Sequence, residues 1–265
     1  MNPQIELFEE KPRIKEPRRL QVIYQPKGRA REYGEWAVNL YTGCTHGCKY
    51  CYVPAVYRKS PKEFHSKATP RNDILKKLDK DLELQAAQGI TEPLFFCFAC
   101  DPYQPAEFEY RITRRALELC QDYGRNFNVL TKASILPLRD ISLYSNGDKF
   151  GMTLVFNKSL DLTEWEPGAS AYDDRLNALK TFHKAGIHTW ISLEPVIDPR
   201  QTIQIIHDTR NFVDEYRVGT INHNSELHHS IDWTSFHSTI TDILDHYAVD
   251  YYIKEDLRKY ERRIA

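Results

Sequence analysis

No apolar stretch in the 265 residues approaches the roughly 20 needed to cross a bilayer, and the N-terminus lacks the apolar core of a secretion signal. Neither a membrane span nor export is expected, and the expected compartment is the cytoplasm. Charge of one sign is also lacking. Lys and Arg number 36 against 37 Asp and Glu, so the molecule as a whole gives no electrostatic signal of a partner. There is no internal repeat and no low-complexity tract. Cysteine is sparse at six, too few and too unevenly spread for a disulfide framework in a cytoplasmic chain of this size. Cysteines that cluster in such a chain point to metal or redox chemistry, and three of the six do cluster.

Aromatic residues (12%) and charged residues (28%) are in the ordinary range for a folded domain, and the length suffices for a full core. From Trp36 onward, apolar runs that read as strands alternate with amphipathic segments that read as helices. Strands are expected at Ala37–Tyr41, Leu94–Ala99, Phe127–Thr131, Phe150–Val155, His188–Leu193 and Glu215–Gly219. Helices are expected at Asp73–Gln88, Thr113–Tyr123, Leu138–Tyr144, Ala171–Ala185, Thr202–Phe212 and Trp233–Tyr247. Gly89, Gly124 and Gly186 fall where three of these should stop. Tyr251–Lys254 and Glu255–Arg263 read as a closing strand and helix.

Alternating strands and helices imply parallel strands with right-handed crossovers. The expectation is an α/β fold, a partial (β/α)6 TIM-like barrel or a doubly wound sheet, over residues 36–265. Residues 1–35 contain four prolines and no sustained period, and read as an extended N-terminal arm. Lys11, Arg13, Lys15, Arg18, Arg19, Lys27, Arg29 and Arg31 make that arm basic, opposed between Lys11 and Arg31 only by Glu16. Such an arm fits a phosphate backbone, and equally a solvated extension.

The strongest local signal is Tyr41-Thr42-Gly43-Cys44-Thr45-His46-Gly47-Cys48-Lys49-Tyr50-Cys51-Tyr52, directly after the first strand. Spacings of four and three let a tight loop aim the thiolates of Cys44, Cys48 and Cys51 at one metal centre. Gly43 and Gly47 permit the turns and leave amide N–H groups free to approach sulfur. Three ligands on a four-iron cube leave one iron open to an exogenous chelating group. The alternative is zinc with His46 or His65 as fourth ligand. Zinc sites usually come as two separated cysteine pairs, and no second pair follows at finger-like spacing.

The CxxxCxφC loop, with Tyr50 at φ, resembles the cluster signature of the radical S-adenosylmethionine (radical SAM) superfamily. NLYTGCTHGCKYCYVP, then DPYQPAE, TKAS and RDI, resemble the spore photoproduct lyase-related subgroup, whose members are often labelled DNA repair photolyase-like. The likeness spans about residues 36–255. It implies a partial barrel, a [4Fe-4S] cluster on Cys44, Cys48 and Cys51, and reductive cleavage of S-adenosyl-L-methionine to a 5′-deoxyadenosyl radical that abstracts hydrogen from a substrate. By motif position, Tyr50 would lie near the adenine. A one-electron reductant such as flavodoxin or ferredoxin is implied as partner. The superfamily's Gly-Gly-Glu-like string after the second strand is replaced here by Phe98-Ala99-Cys100-Asp101-Pro102-Tyr103.

Ligands of parallel α/β folds gather at the carboxyl ends of strands, and that location selects the remaining candidates. Cys97 and Cys100, three apart, are expected on opposite faces of the second strand, with Cys100 at the rim. Cys100 reads either as a hydrogen-atom donor or as a small buried hydrophobe; Cys97 and Cys120 read as core. Asp101 caps a turn by bonding to backbone two residues on, or, with Tyr103, meets cofactor or substrate. Lys132, after the third strand, suits the methionine carboxylate that the resemblance implies. Thr153, Ser192 and Glu194 suit ribose hydroxyls.

Three functional readings follow. The first is radical chemistry on a DNA or RNA lesion or modified base, reached through the basic arm. The second applies the same chemistry to a small molecule or peptide. The third is a non-enzymatic iron–sulfur or zinc nucleic-acid-binding protein.

Overall fold

Seven short strands line up side by side in chain order, all parallel, in a computed structural model that describes residues 19–222 and 224–261. They are β1 (Trp36–Val38), β2 (Leu94–Phe96), β3 (Phe127–Thr131), β4 (Lys149–Thr153), β5 (His188–Leu193), β6 (Glu215–Val218) and β7 (Asp250–Ile253). The crossover helices are α1 (Ile74–Ala87), α2 (Ile112–Asp122), α3 (Ile135–Arg139), α4 (Tyr172–Lys184), α5 (Pro199–Thr209) and α6 (Trp233–His246). Neighbours in sequence are neighbours in space throughout, the order that uniformly right-handed crossovers produce. The strand the sequence offered as a closing one, β7, pairs with β6 and not with β1. The sheet is therefore an unclosed, partial TIM-like barrel with one open side.

Period-2 alternation sorts the strand residues into two layers. Phe96, Phe127, Val129, Phe150, Met152, Ile191, Leu193, Tyr216 and Val218 belong to the core shared with helix residues such as Leu78, Leu117, Phe182 and Ile206. The other face carries Ala37, Phe95 and Trp190, packed with Tyr24, Tyr33, Phe98 and Leu130 inside the barrel. Gly151 sits opposite Trp190 in the β4–β5 register, and a Cβ there would run into the indole. The indole fills that space and donates Nε1–H to Asn128 Oδ1 at 2.7 Å. The lower barrel is thus packed solid, leaving chemistry to the carboxyl ends of the strands.

Two helix boundaries depart from expectation for local reasons. Helix α5 begins three residues early because Pro199 takes the first turn and Asp198 accepts from Arg200 N–H at 3.0 Å. The helix expected over Leu138–Tyr144 is instead α3 followed by a 3₁₀ turn at Ile141–Leu143. It breaks at Asp140, whose buried carboxylate draws in Arg139 and Arg114 at 2.7–2.8 Å. Gly89, Gly124 and Gly186 do end α1, α2 and α4, with φ of +70°, +60° and +76°.

From Arg19 on, the arm is laid against the barrel. The amides of Gln21, Val22 and Ile23 donate to the Asp81 carboxylate at 2.7–2.9 Å, and Tyr24 bridges antiparallel to Ala37 of β1. A 3₁₀ segment, Gly28–Tyr33, then reaches the far edge. There Glu32 accepts from Tyr252 Oη at 3.2 Å and Glu255 N–H at 2.8 Å, and Arg29 pairs with Asp256 at 3.0 Å. Residues 19–35 thus bridge the open side between β1 and β7. Lys11, Arg13, Lys15 and Arg18 lie outside the described residues. No helix among the described residues is long and apolar enough to cross a membrane.

Candidate active site

The cysteine loop is held from every side by groups distant in sequence. Gln104 clamps it twice, donating to Gly43 O (3.2 Å) and accepting from Thr45 N–H (3.0 Å). Gly168 N–H donates to His46 O at 2.9 Å and Lys49 N–H to Trp165 O at 2.9 Å. His65 Nδ1 lies 2.7 Å from Cys44 O, a contact in which the ring must be the donor. Gly43, with φ +82°, tolerates no Cβ, because the backbone of Lys67 and Phe64 closes over it.

All three loop thiols are free and half-buried. Backbone N–H groups of His46 and Asp101 point at the Cys44 sulfur, and that of Val53 at Cys51. Burial pushes Cys48 up to about 11, against the pull of Lys132, and raises Cys44 and Cys51 as well. Apolar burial disfavours the thiolate, while oriented amides and a lysine offset part of that cost; a bound cationic centre supplies the rest by displacing the protons. Among the described residues no three His, Cys, Asp or Glu side chains already stand as a cage for a metal ion. The fit to an iron–sulfur cluster rests on the three soft sulfur donors and on the amides aimed at them. Of the imidazoles weighed as zinc ligands, His65 turns Nδ1 to Cys44 O and His46 faces Asp101 at 3.3 Å, and neither forms a three-residue metal group with the thiols among the described residues.

Asp101 knits the loop to two strand ends. Its Oδ1 accepts from Tyr103 N–H (2.8 Å) and Thr131 Oγ (2.6 Å), and its Oδ2 from Lys132 N–H (2.7 Å). Burial would raise its pKa, but His46, the Thr131 hydroxyl and the Lys132 amide overcome it and hold the carboxyl down at about 2. The turn expected from the sequence is present, and every Asp101 contact in it is internal. Lys132 is placed differently. Its ammonium lies 5.7 Å over the Tyr50 ring, within electrostatic reach of Cys48 and Glu166, yet makes no ion pair among the described residues.

Two residues that sequence reasoning missed complete this wall. The Tyr50 hydroxyl donates to Glu166, and Glu166 is locked to Arg175 at 2.7 Å, both side chains 0% exposed. Arg175 also donates to Thr153 O (3.0 Å) and Ser170 O (2.8 Å). Burial pushes Glu166 up, but Arg175 and Lys132 outweigh it and keep the carboxyl ionised. The end of β4 and the tyrosine of the cysteine loop are therefore parts of one buried polar chain.

Across the barrel, Ser192 near the end of β5 and Glu194 just after it lie at the strand's carboxyl end as expected, and the structure brings them to Tyr33 of the arm and to Lys254. Tyr33 Oη lies 3.0 Å from Ser192 Oγ and donates to Glu194 Oε2 at 2.6 Å, which Lys254 Nζ also reaches at 2.6 Å. The Thr153 side chain is on the same sheet face, since Thr153 pairs with Ser192 in register. Tyr52 joins this rim to the cysteine loop through a 3.2 Å bond to Phe98 O.

Two expectations need correction. Strand β2 ends at Phe96, not Ala99, so Cys97 and Cys100 sit in the following bend, both buried and within electrostatic reach of each other, rather than on opposite faces of a strand. Tyr103 does not reach the rim: it is 1% exposed, and its hydroxyl is 3.2 Å from Asp140 beneath the α2–α3 layer. Its bulk serves the core.

The family model "Radical SAM superfamily" matches residues 38–213, most of the barrel. The chain belongs to the radical SAM superfamily. An uncharacterised protein of Methanocaldococcus jannaschii is 26% identical over 191 residues, 71% of each chain. An uncharacterised protein of Mycobacterium tuberculosis is 22% identical over 171 residues, 61% of this chain and 49% of its own length. Among solved structures, a spore photoproduct lyase variant with bound AdoMet and dinucleoside spore photoproduct superposes with a TM-score of 0.65 at 15% identity, covering 89% of this chain and 79% of the other. Streptococcus suis SuiB bound to S-adenosylmethionine gives 0.64 at 13% identity, covering 84% of this chain and 51% of SuiB. The radical SAM chain thus spans about half the length of SuiB and of the mycobacterial relative. It is an enzyme of radical SAM chemistry, and its family implies both S-adenosylmethionine and an iron–sulfur cluster.

Proposed function

We propose that Cys44, Cys48 and Cys51 hold a [4Fe-4S] cluster at which S-adenosylmethionine is reductively cleaved, and that the product radical acts on a nucleic-acid base or lesion. The observation that carries the cofactor reading is the Lys132 ammonium over the Tyr50 ring, in electrostatic reach of Cys48 and without an ion pair among the described residues. When bound, the cluster supplies the electron that breaks the carbon–sulfur bond of the sulfonium and leaves a 5′-deoxyadenosyl radical. The protein's part is positioning. Lys132 offers a charge-assisted hydrogen bond to the methionine carboxylate. Tyr50, fixed by Glu166 and Arg175, presents its ring to the adenine. Thr153, Ser192 and Glu194 would face the ribose, and Cys100, close to Cys44 and Cys97, would return hydrogen to a substrate radical. A reductant of the flavodoxin or ferredoxin class serves as electron donor, and the compartment is the cytoplasm.

The likeness to spore photoproduct lyase and the basic arm support the nucleic-acid substrate, with the base turned out of its stack to enter the mouth. A second reading, the same chemistry on a peptide or small molecule, is favoured by the arm's bridging of the open side and by Tyr33 in the barrel.

Anaerobically reconstituted protein, reduced with dithionite in the presence of S-adenosylmethionine, is expected to release 5′-deoxyadenosine. Lys132→Ala should weaken S-adenosylmethionine binding by about tenfold or more, the worth of one hydrogen bond to a charged group, without changing iron content. Iron-loaded protein that yields no 5′-deoxyadenosine refutes the reading.

A further inference from the structure

Segment 49–71, which runs on from the last cysteines, carries six cations (Lys49, Arg58, Lys59, Lys62, Lys67, Arg71) against one carboxylate, Glu63, in a chain whose net charge is −1. Lys49 and Lys59 are paired, with Glu164 and Glu63. Arg58, Lys62 and Lys67 are exposed and make no ion pair among the described residues. Between these cations the same segment exposes Tyr52 (44%), Val56 (67%) and Tyr57 (39%). Exposed large side chains are unremarkable singly, but here three lie on one short excursion.

This surface is held by local contacts and is tied to the active site. Tyr57 stacks on buried Phe64 with ring centroids 6.0 Å apart, and its hydroxyl accepts from Arg71 at 2.5 Å. Ser60 caps the helix Pro61–Ser66 by accepting from Glu63 N–H at 3.1 Å. Thr69–Pro70 pairs with Tyr41–Thr42 at the root of the cysteine loop. At the other end Tyr52 bonds Phe98 O on the barrel rim. The excursion that pins the cysteine loop therefore exposes cations and rings within one short segment that is anchored to the barrel rim through Tyr52.

We infer that segment 52–67 is the docking surface for single-stranded nucleic acid, with the phosphates on Arg58, Lys62 and Lys67 and a base stacked on Tyr57, next to Tyr52 at the rim. Exposed cations interleaved with partly exposed tyrosine rings suit a polyanion that carries flat bases, whereas neither an acidic peptide nor an anionic bilayer uses tyrosine rings spaced along a segment. The inference deepens the proposed function and rests on its reading of the barrel mouth as the reactive end. It also adds the cysteine-loop excursion to the N-terminal arm as a nucleic-acid contact; of the arm's cations, Arg29 is engaged by Asp256.

The test is fluorescence anisotropy on the full-length, iron-loaded protein with labelled oligo(dT) and oligo(rU), over a salt series. The expected Kd is about 1–100 μM near physiological salt. The R58E/K62E/K67E variant should bind at least tenfold more weakly, and its slope of log K against log salt should fall by about two, the share of three phosphate contacts on a single strand. Tyr57→Ala should weaken binding with the salt slope unchanged, with circular dichroism and iron content confirming its fold. The two oligonucleotides show whether DNA or RNA is preferred. Unaltered binding by the triple variant, tighter binding to duplex than to single strands, or equally tight binding to polyglutamate each overturns the inference. Because binding is read without turnover, absence of 5′-deoxyadenosine would sink the proposed function and leave this result to stand or fall alone.

Discussion

Arg175→Met is the most informative single perturbation of the site. Arg175 and Glu166 are both fully buried, and the guanidinium serves three acceptors: Glu166 at 2.7 Å, Ser170 O at 2.8 Å and Thr153 O at 3.0 Å. Methionine keeps much of the volume but leaves a buried carboxylate uncompensated, which costs about 3–5 kcal/mol. The two orphaned carbonyls add to that cost, and Lys132, already in electrostatic reach of Glu166, returns part of it. A net loss of about 4 kcal/mol is expected, read as a shift of the urea midpoint and, for a chain of this size, a fall of roughly 10 °C in Tm. The double variant E166Q/R175M should be more stable than R175M alone, since the stranded charge is gone. The single variant has a functional signature too: Lys132 drawn to Glu166 is less available to a carboxylate ligand, so S-adenosylmethionine binding should weaken. A loss under 1 kcal/mol for R175M, or a double variant less stable than the single, would refute the claim that this pair organises the Tyr50 wall.

Asp101 carries a pH signature. Its carboxyl is held at about 2 against an ordinary 3.8, so its stabilisation is complete above about pH 4 and is lost as pH falls through about 2. That shift is worth about 2 kcal/mol; Asp101→Asn should lower stability at neutral pH by a similar amount and flatten the acid limb of the stability curve, measured by urea unfolding at stepped pH. Gly151→Ala drives a methyl into the Trp190 indole and should cost about 1–3 kcal/mol, with altered tryptophan fluorescence as the Nε1–Asn128 bond is disturbed. Unchanged fluorescence and stability would mean that the barrel interior is looser than described.

The fold was largely legible because its signals are local. Strands β3 and β5 fall at the expected residues, three glycines end the helices they should end, and the Asp101 turn forms as its sequence implies. The cysteine loop stood out for the same reason: three thiols lie within eight residues. What sequence reasoning missed is non-local. Glu166 meets Tyr50 across 116 positions and Tyr33 meets Glu194 across 161, and nothing near Glu166 or Tyr33 marks either as part of a site. Gln104 is similar, a plain amide whose role appears only once two loops are folded together. The misreading of Cys97 and Cys100 has another cause. Phe95-Phe96-Cys97-Phe98 is apolar throughout, so the pattern holds no mark of where pairing stops, and the bend after Phe96 turns both thiols inward. Tyr103 was placed by its distance from a strand end, but rim proximity in sequence does not fix which way a side chain turns.

The account stands most directly on what the three loop cysteines hold. Iron and acid-labile sulfide should each be measured per chain, after anaerobic purification and reconstitution, for the native protein and for the C44S/C48S/C51S variant. About four of each per native chain is expected, and neither in the variant, with circular dichroism unchanged. Zinc in the native protein, or iron–sulfur absorbance that survives in the triple-serine variant, would contradict it.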